Sequence, residues 1–143
     1  MSKYAWHNNG YKYILTIIDV YSRRAWAIKL KSKESKEVIS AIKPILINEK
    51  VKLLHTDNGS EFTSNEFRNM CQSLNVKQIF GTPYTPHSQG HIERFNRTLK
   101  SMIYKYFTWN DTKIWINIID KFVDSYNNTK HSVTLEKPIT KTA

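Results

Sequence analysis

The chain is poor in cysteine, in acid and in long apolar runs. It has one cysteine, Cys71, in 143 residues. That excludes an internal disulfide and any multi-cysteine zinc site, and it fits a reducing compartment. Cys71 follows Phe67 and Met70 at helical spacing, the pattern of a buried core thiol. No His-Cys cluster exists either, and His7, His55, His87, His91 and His131 are scattered and not expected to bind metal. The first ten residues, "MSKYAWHNNG", contain no apolar segment of the secretory kind. No run approaches membrane-span length, so no membrane partner is expected. Neither a repeat nor a low-complexity block appears.

Acidic residues are the other deficit. Twelve Asp and Glu stand against 22 Lys and Arg, giving a formal charge of +10 and a pI near 9.7. On a chain of this length, enough for one domain with one core, that excess points to a polyanion, nucleic acid being the usual one. Lys12, Arg23, Arg24, Lys29, Lys31, Lys33 and Lys36 cluster along one stretch, which predicts salt-sensitive, largely sequence-independent DNA binding. Hydrophobic residues at 40% and charged ones at 24% are ordinary for a folded domain.

What is present alternates between strand and helix. "YKYILTIIDV" (Tyr11 to Val20) is β-branched and aromatic, "YSRR" bends, and "AWAIKL" (Ala25 to Leu30) returns, predicting an antiparallel hairpin. Val38, Ile39, Ile42, Ile45 and Leu46 predict a helix capped by Ser32 or Ser35, which Pro44 should kink or shorten. "VKLLHTDNG" predicts a strand over Val51 to His55 ending in a turn. In that turn Asn58 would tolerate the left-handed conformation and Gly59 would supply positive φ. Thr63 or Ser64 caps a helix to about Leu74, and "VKQIF" is a further strand. "GTPYTPHSQG" (Gly81 to Gly90) holds two of the four glycines and two of the four prolines and reads as a mobile loop, with Gly90 allowing close approach before the next helix. A long helix follows from about His91, its buried stripe being Ile92, Phe95, Leu99, Met102, Ile103 and Tyr106. The last helix is predicted over Thr112 to Asn127. Trp26, Trp109 and Trp115 are expected in the core. This order implies an α/β sheet flanked by helices, with functional residues at strand ends.

Two carboxylates stand out. Asp57 lies just past a strand, and Glu93 lies on the first turn of the long helix, with 35 residues between them. Asn96, Arg97 and Lys100 follow Glu93 at i+3, i+4 and i+7, on one side of the helix. Carboxylates that hold a hard cation beside basic groups that hold phosphates suit two-metal phosphoryl transfer. Glu61 reads as a solvated or capping residue near the next helix.

"HTDNGSEF" and "GTPYTPHSQGHIERFNRTLK", at that spacing, resemble the catalytic core of retroviral-type integrases in the DDE integrase/transposase superfamily, with wording closest to Polinton/Maverick-like or gypsy-like branches. "GYKYILTIIDVYSRRAWAIKLKSK" and "YNNTKHSVTLEKP" match the same family in order, so the resemblance covers essentially the whole chain. It implies an RNase H-like α/β fold with a mixed five-stranded sheet, one domain over 1–143, and Mg²⁺- or Mn²⁺-dependent processing of DNA ends and strand transfer. It also implies homo-oligomers working on mobile-element ends and target DNA, in an intracellular setting that is nuclear in a eukaryotic host. The family's catalytic set is Asp, Asp, Glu. Asp57 matches the second Asp and Glu93 the Glu, as catalytic residues and metal ligands. Asn96, Arg97 and Lys100 match positions that meet DNA, and Tyr84, Ser88 and Gln89 are further DNA-contact candidates.

The resemblance has one departure. In "TIIDVYSR", Asp19 matches a recurrent second-strand Asp that is not a metal ligand, and only 37 residues separate it from Asp57, short for the family. The residues ahead of it contain no acid. The first catalytic Asp and most of its strand are therefore expected to lie upstream, which would leave two strand edges unpaired. The alternative reading is an inactive relic that binds DNA or a partner integrase. The truncation reading predicts an in-frame hydrophobic-Asp-hydrophobic segment shortly upstream of the Met1 codon, and sequencing that DNA without finding one would refute it.

Overall fold

A computed structural model describes residues 1–80 and 86–129, with backbone alone for 86–89. The chain divides into two compact units, 1–31 with 90–143 and 32–89. The observed elements are a 3-10 helix (Ser2–Asn8), β1 (Tyr13–Ile18), β2 (Ala25–Leu30), α1 (Ser35–Asn48), β3 (Leu53–Thr56), α2 (Ser60–Thr63), α3 (Asn65–Ser73), β4 (Lys77–Phe80), α4 (Pro86–Asn110) and α5 (Ile119–Asn127).

In the first unit β1 and β2 form the expected hairpin, with Tyr13 opposite Leu30 and Ile18 opposite Ala25. Its bend is closed by Asp19, which accepts bonds from Tyr21 N and Ser22 Oγ, both at 3.0 Å. Arg23 takes positive φ there and donates its N–H to the Asp19 carbonyl. Phe95, Leu99, Ile103 and Phe107, at i, i+4, i+8 and i+12, run down the buried side of α4. They meet Ala25, Trp115, Ile119 and Val123 in one core. Tyr104 and Tyr106 are both half-buried against it. Asn127 in α5 acts as a strand partner for β2, its carboxamide accepting from Ala25 N at 2.9 Å and donating to Ala25 O at 3.0 Å. That pairing satisfies two buried backbone groups at once.

The second unit buries Val38, Ile42 and Leu46 of α1 with Leu54, Phe67, Met70, Cys71 and Val76. Cys71 is a core thiol as expected, and burial raises its pKa. Here β3 and β4 pair in parallel, Leu53 opposite Lys77 and Thr56 opposite Phe80. Antiparallel and parallel pairings are thus both present, but as two separate two-stranded ladders among the described residues, not one five-stranded sheet. No helix among the described residues is long and apolar enough to cross a membrane.

Several local expectations fail for identifiable reasons. Helix α1 runs through Pro44 without a break. Pro44 and Ser40 are both exposed, so the carbonyl that loses its N–H partner can turn to water. Its N-cap is Glu34; Ser32 instead receives the Glu37 carboxylate, through its backbone N–H at 2.8 Å and its hydroxyl at 2.6 Å. Helix α4 begins at Pro86, not His91, so Ser88, Gln89 and Gly90 lie in its first turns and not in a loop. Proline opens a helix at no cost because its missing N–H would have been unpaired there. Trp115 is fully buried, but Trp109 is 79% exposed and so is not a core residue.

The last helix begins at Ile119 and not at Thr112, because Asn8 intervenes. This fully buried side chain donates to Tyr4 O at 2.8 Å and Lys113 O at 2.9 Å. Its carbonyl oxygen accepts from Trp115 N at 2.7 Å and Ile116 N at 3.2 Å. One carboxamide therefore ties the 3-10 helix to the segment after α4 and takes the N–H groups a helix would have used. Asn8→Ala would strand these buried groups and should cost about 3 kcal/mol. In urea unfolding the midpoint should fall with the slope preserved; an unchanged midpoint would contradict the clamp.

Candidate functional site

Asp57 sits one residue beyond β3, at the C-terminal end of a parallel strand, and is exposed. Its position is fixed from several sides. Gly59 N donates to Asp57 Oδ1 at 2.7 Å, a turn made by the side chain itself. Thr56, buried just before it, accepts from Gln78 Nε2 at 3.1 Å, and the same amide reaches Phe62 O at 2.9 Å. Gln78 thus bonds the strand end and α2 together. On the far side of α2, Ser35 Oγ lies 2.7 Å from Ser64 Oγ and 3.2 Å from Glu61 O. Ser64 caps α3 by accepting from Phe67 N, which settles the choice between Thr63 and Ser64.

Gly59 does not have the backbone expected of it. Its φ is −58°, open to any residue, and Asn58 is not among the positive-φ residues either. A side chain at Gly59 would meet the ends of two carboxylates, which would have to turn aside. A Cβ placed on it would stand 2.8 Å from Glu61 Oε1 and 2.9 Å from Asp57 Oδ1. Both carboxylates therefore crowd the same bare backbone, and Glu61 lies in the first turn of α2, as its capping role predicts. Gln78 and the α2 turn were not legible as parts of this site; the one signal was "GSEF", whose Ser-Glu pair suits a helix start.

Glu93 belongs to the other unit, exposed on α4. Asn96, Arg97 and Lys100 are exposed on the same helix, as their offsets from the buried stripe require. Asn96 Oδ1 accepts from Thr16 Oγ1 at 2.5 Å, which fixes the rotation of α4 against β1. Lys100 Nζ lies 5.9 Å from the Tyr104 ring centre. Of the other DNA-contact candidates, Tyr84 lies outside the described residues, while Ser88 and Gln89 lie in the first turns of α4.

Asp19 is not brought into either group. Both its carboxylate oxygens are engaged by its own turn, through Tyr21 N and Ser22 Oγ. Among the described residues, no three His, Cys, Asp or Glu side chains come together as a metal site. The donors that Asp57 and Glu93 offer are exposed carboxylate oxygens, the type that Mg²⁺ and Mn²⁺ prefer.

Known proteins match the chain over most of its length. Two family models of an integrase core domain match it, one over residues 3–86 and the other over residues 74–134. The Pro-Pol polyprotein of feline foamy virus is 33% identical over 85% of the chain, which covers 10% of that polyprotein. A transposon-derived protein of Caenorhabditis elegans is 30% identical over 97% of the chain, which covers 49% of that protein. The chain therefore spans half or less of the length of these curated relatives. Among solved structures, the catalytic core domain of BIV integrase superposes with a TM-score of 0.75 at 26% identity, over 89% of this chain and 82% of that one. A simian T-cell lymphotropic virus intasome, in complex with a PP2A regulatory subunit, gives 0.76 at 25% identity, over 90% and 51%. The fold is accordingly α/β of the RNase H-like kind, and the chain belongs to the integrase core domain family as a retroviral-type integrase catalytic core.

Proposed function

We propose that this chain carries out DNA integration for a mobile element, processing DNA ends and transferring them into target DNA with Mg²⁺ or Mn²⁺. The observation that carries this reading is Asp57: an exposed carboxylate at a parallel strand end, held by Gly59 N and matched in motif and spacing with Glu93. The reaction replaces one phosphodiester P–O bond by another, with the attacking hydroxyl and the leaving oxygen in line. Asp57 and Glu93 would hold the metal, and the bound ion would supply activation of the hydroxyl and charge stabilisation at the leaving oxygen. Arg97 and Lys100 would hold phosphates, and Asn96, fixed by Thr16, would orient the strand they hold. Oligomers acting on paired DNA ends belong to the same reading.

A second reading has its own observation. Asp19 is committed to its turn, and no cluster of three metal-ligating side chains forms among the described residues. With two carboxylates, the charge of two divalent ions is poorly compensated. The chain would then bind DNA or a partner integrase and turn over nothing until a third carboxylate is supplied.

Strand transfer onto a DNA duplex in Mn²⁺ separates the two. The enzyme reading predicts product that disappears in Asp57→Asn and in Glu93→Gln. The binding reading predicts no product, with DNA still bound. Where activity is measurable, Gly59→Ala should lower it on the order of 10²-fold by pushing Asp57 off position. The same variant should melt within about 1 kcal/mol of the parent, because its φ suits alanine. Wild-type rates in Gly59→Ala would contradict the placement of Asp57.

A further inference from the structure

Beside the DNA-contact residues that the family motif carries on α4, the same unit gathers lysines from other elements on two tyrosine rings. Tyr4, in the 3-10 helix, meets Phe107 edge-on at 5.2 Å and Tyr104 at 6.5 Å. Lys3 Nζ stands 5.0 Å from the centre of the Tyr4 ring. Lys113 Nζ approaches the same ring at 5.8 Å and Phe107 at 5.9 Å. On the hairpin, Lys29 and Lys31 repeat the arrangement, their ammonium groups 5.0 and 5.1 Å from the centre of Tyr11. Tyr4 and Tyr11 both pack on the core cluster that contains Phe107.

Two lysines share each of two rings. Solubilising charges would lie apart, whereas here like charges are gathered within about one screening length, ~10 Å at ordinary ionic strength. The ring faces offset part of that repulsion. They also hold the long lysine stems in place, so less side-chain freedom is lost when an anion arrives. A polymer with closely spaced negative charges would offset the rest.

We propose that these lysines form a phosphate track, on which Lys3 and Lys113 at Tyr4, next to the Tyr104 ring that Lys100 approaches, and Lys29 and Lys31 at Tyr11 bind the backbone of DNA in addition to Arg97 and Lys100. Tyr4 and Tyr11 are positioning residues that set the spacing of the ammonium groups. The track rests on the DNA reading above and extends it beyond the DNA-contact residues of α4.

The test is a fluorescence-anisotropy titration of the full chain with a labelled duplex of arbitrary sequence, repeated across salt concentrations. Lys3, Lys29 and Lys113 are exposed, so the triple alanine variant should melt like the parent; a triple glutamine variant replaces it if it does not. In the triple variant the slope of log affinity against log salt should become shallower by about 2 to 3, since each phosphate contact contributes roughly 0.9. The triple arginine variant should keep the parent slope. Tyr11→Leu should weaken binding a few-fold at unchanged slope, while Tyr11→Phe should match the parent. A parent slope in the triple alanine variant would overturn the track and leave the DNA reading standing. A parent chain that does not bind the duplex would overturn both, and binding to phosphatidylserine vesicles in place of DNA would assign the surface to lipid.

Discussion

The burial of one stripe on α4 governs the unit that carries Glu93. Phe95, Leu99, Ile103 and Phe107 must leave water together, and each buried side chain of this kind contributes roughly 1.5–3 kcal/mol. With those positions inward, the helical repeat leaves Glu93, Asn96, Arg97 and Lys100 facing outward. The Thr16–Asn96 bond fixes the rotation that burial alone would set only coarsely. The chemistry of the outer face is therefore a consequence of the packing on the inner one. Asn8 closes the same core from the other end, by drawing Trp115 into it through a backbone bond.

The other unit reaches its carboxylate by a different route. A parallel strand pair brings β3 to a stop at Thr56, and the chain turns at once. Gly59 leaves the space that a Cβ would take from the Asp57 and Glu61 oxygens. Gln78 and Ser35 then brace the turn from β4 and α1. Nothing in this arrangement requires a strained backbone. Its cost lies in gathering polar groups, of which Gly59 N, Gln78 and the Ser35 and Ser64 hydroxyls are hydrogen-bonded.

Much of this was legible in the sequence where a local rule and the tertiary structure agree. The hairpin, the strand before Asp57, a cap at Thr63 or Ser64 and the Phe95, Leu99 and Ile103 part of the α4 stripe follow from period and capping, while Phe107 was not among the residues expected there. Where they disagree, a longer-range bond decides. Residues 112–118 carry a helical pattern, but Asn8 captures the N–H groups of Trp115 and Ile116. Pro44 should interrupt α1, but it falls on the exposed face, where the carbonyl that loses its partner can turn to water. Asp57, Glu93 and the basic face of α4 were legible as a motif with spacing. The bracing by Gln78, the crowding of Glu61 at Gly59 and the pairing of lysines on Tyr4 and Tyr11 were not, because each joins residues that only the fold brings together. Asp19 is the reverse case: it follows a hydrophobic strand as a ligand would, and both its oxygens are engaged by a turn.

The central claim, on the proposed function, is that Asp57 and Glu93 are each a ligand of the divalent metal. Calorimetric titration with Mn²⁺, which needs no turnover, tests it most directly. The account predicts that Asp57→Asn and Glu93→Gln each weaken binding severely, that the double variant is little worse than either single one, and that Asp19→Asn binds as the parent does. Binding that survives Glu93→Gln while Asp57→Asn or Glu61→Gln abolishes it would contradict the claim and place the ion at the β3 turn alone.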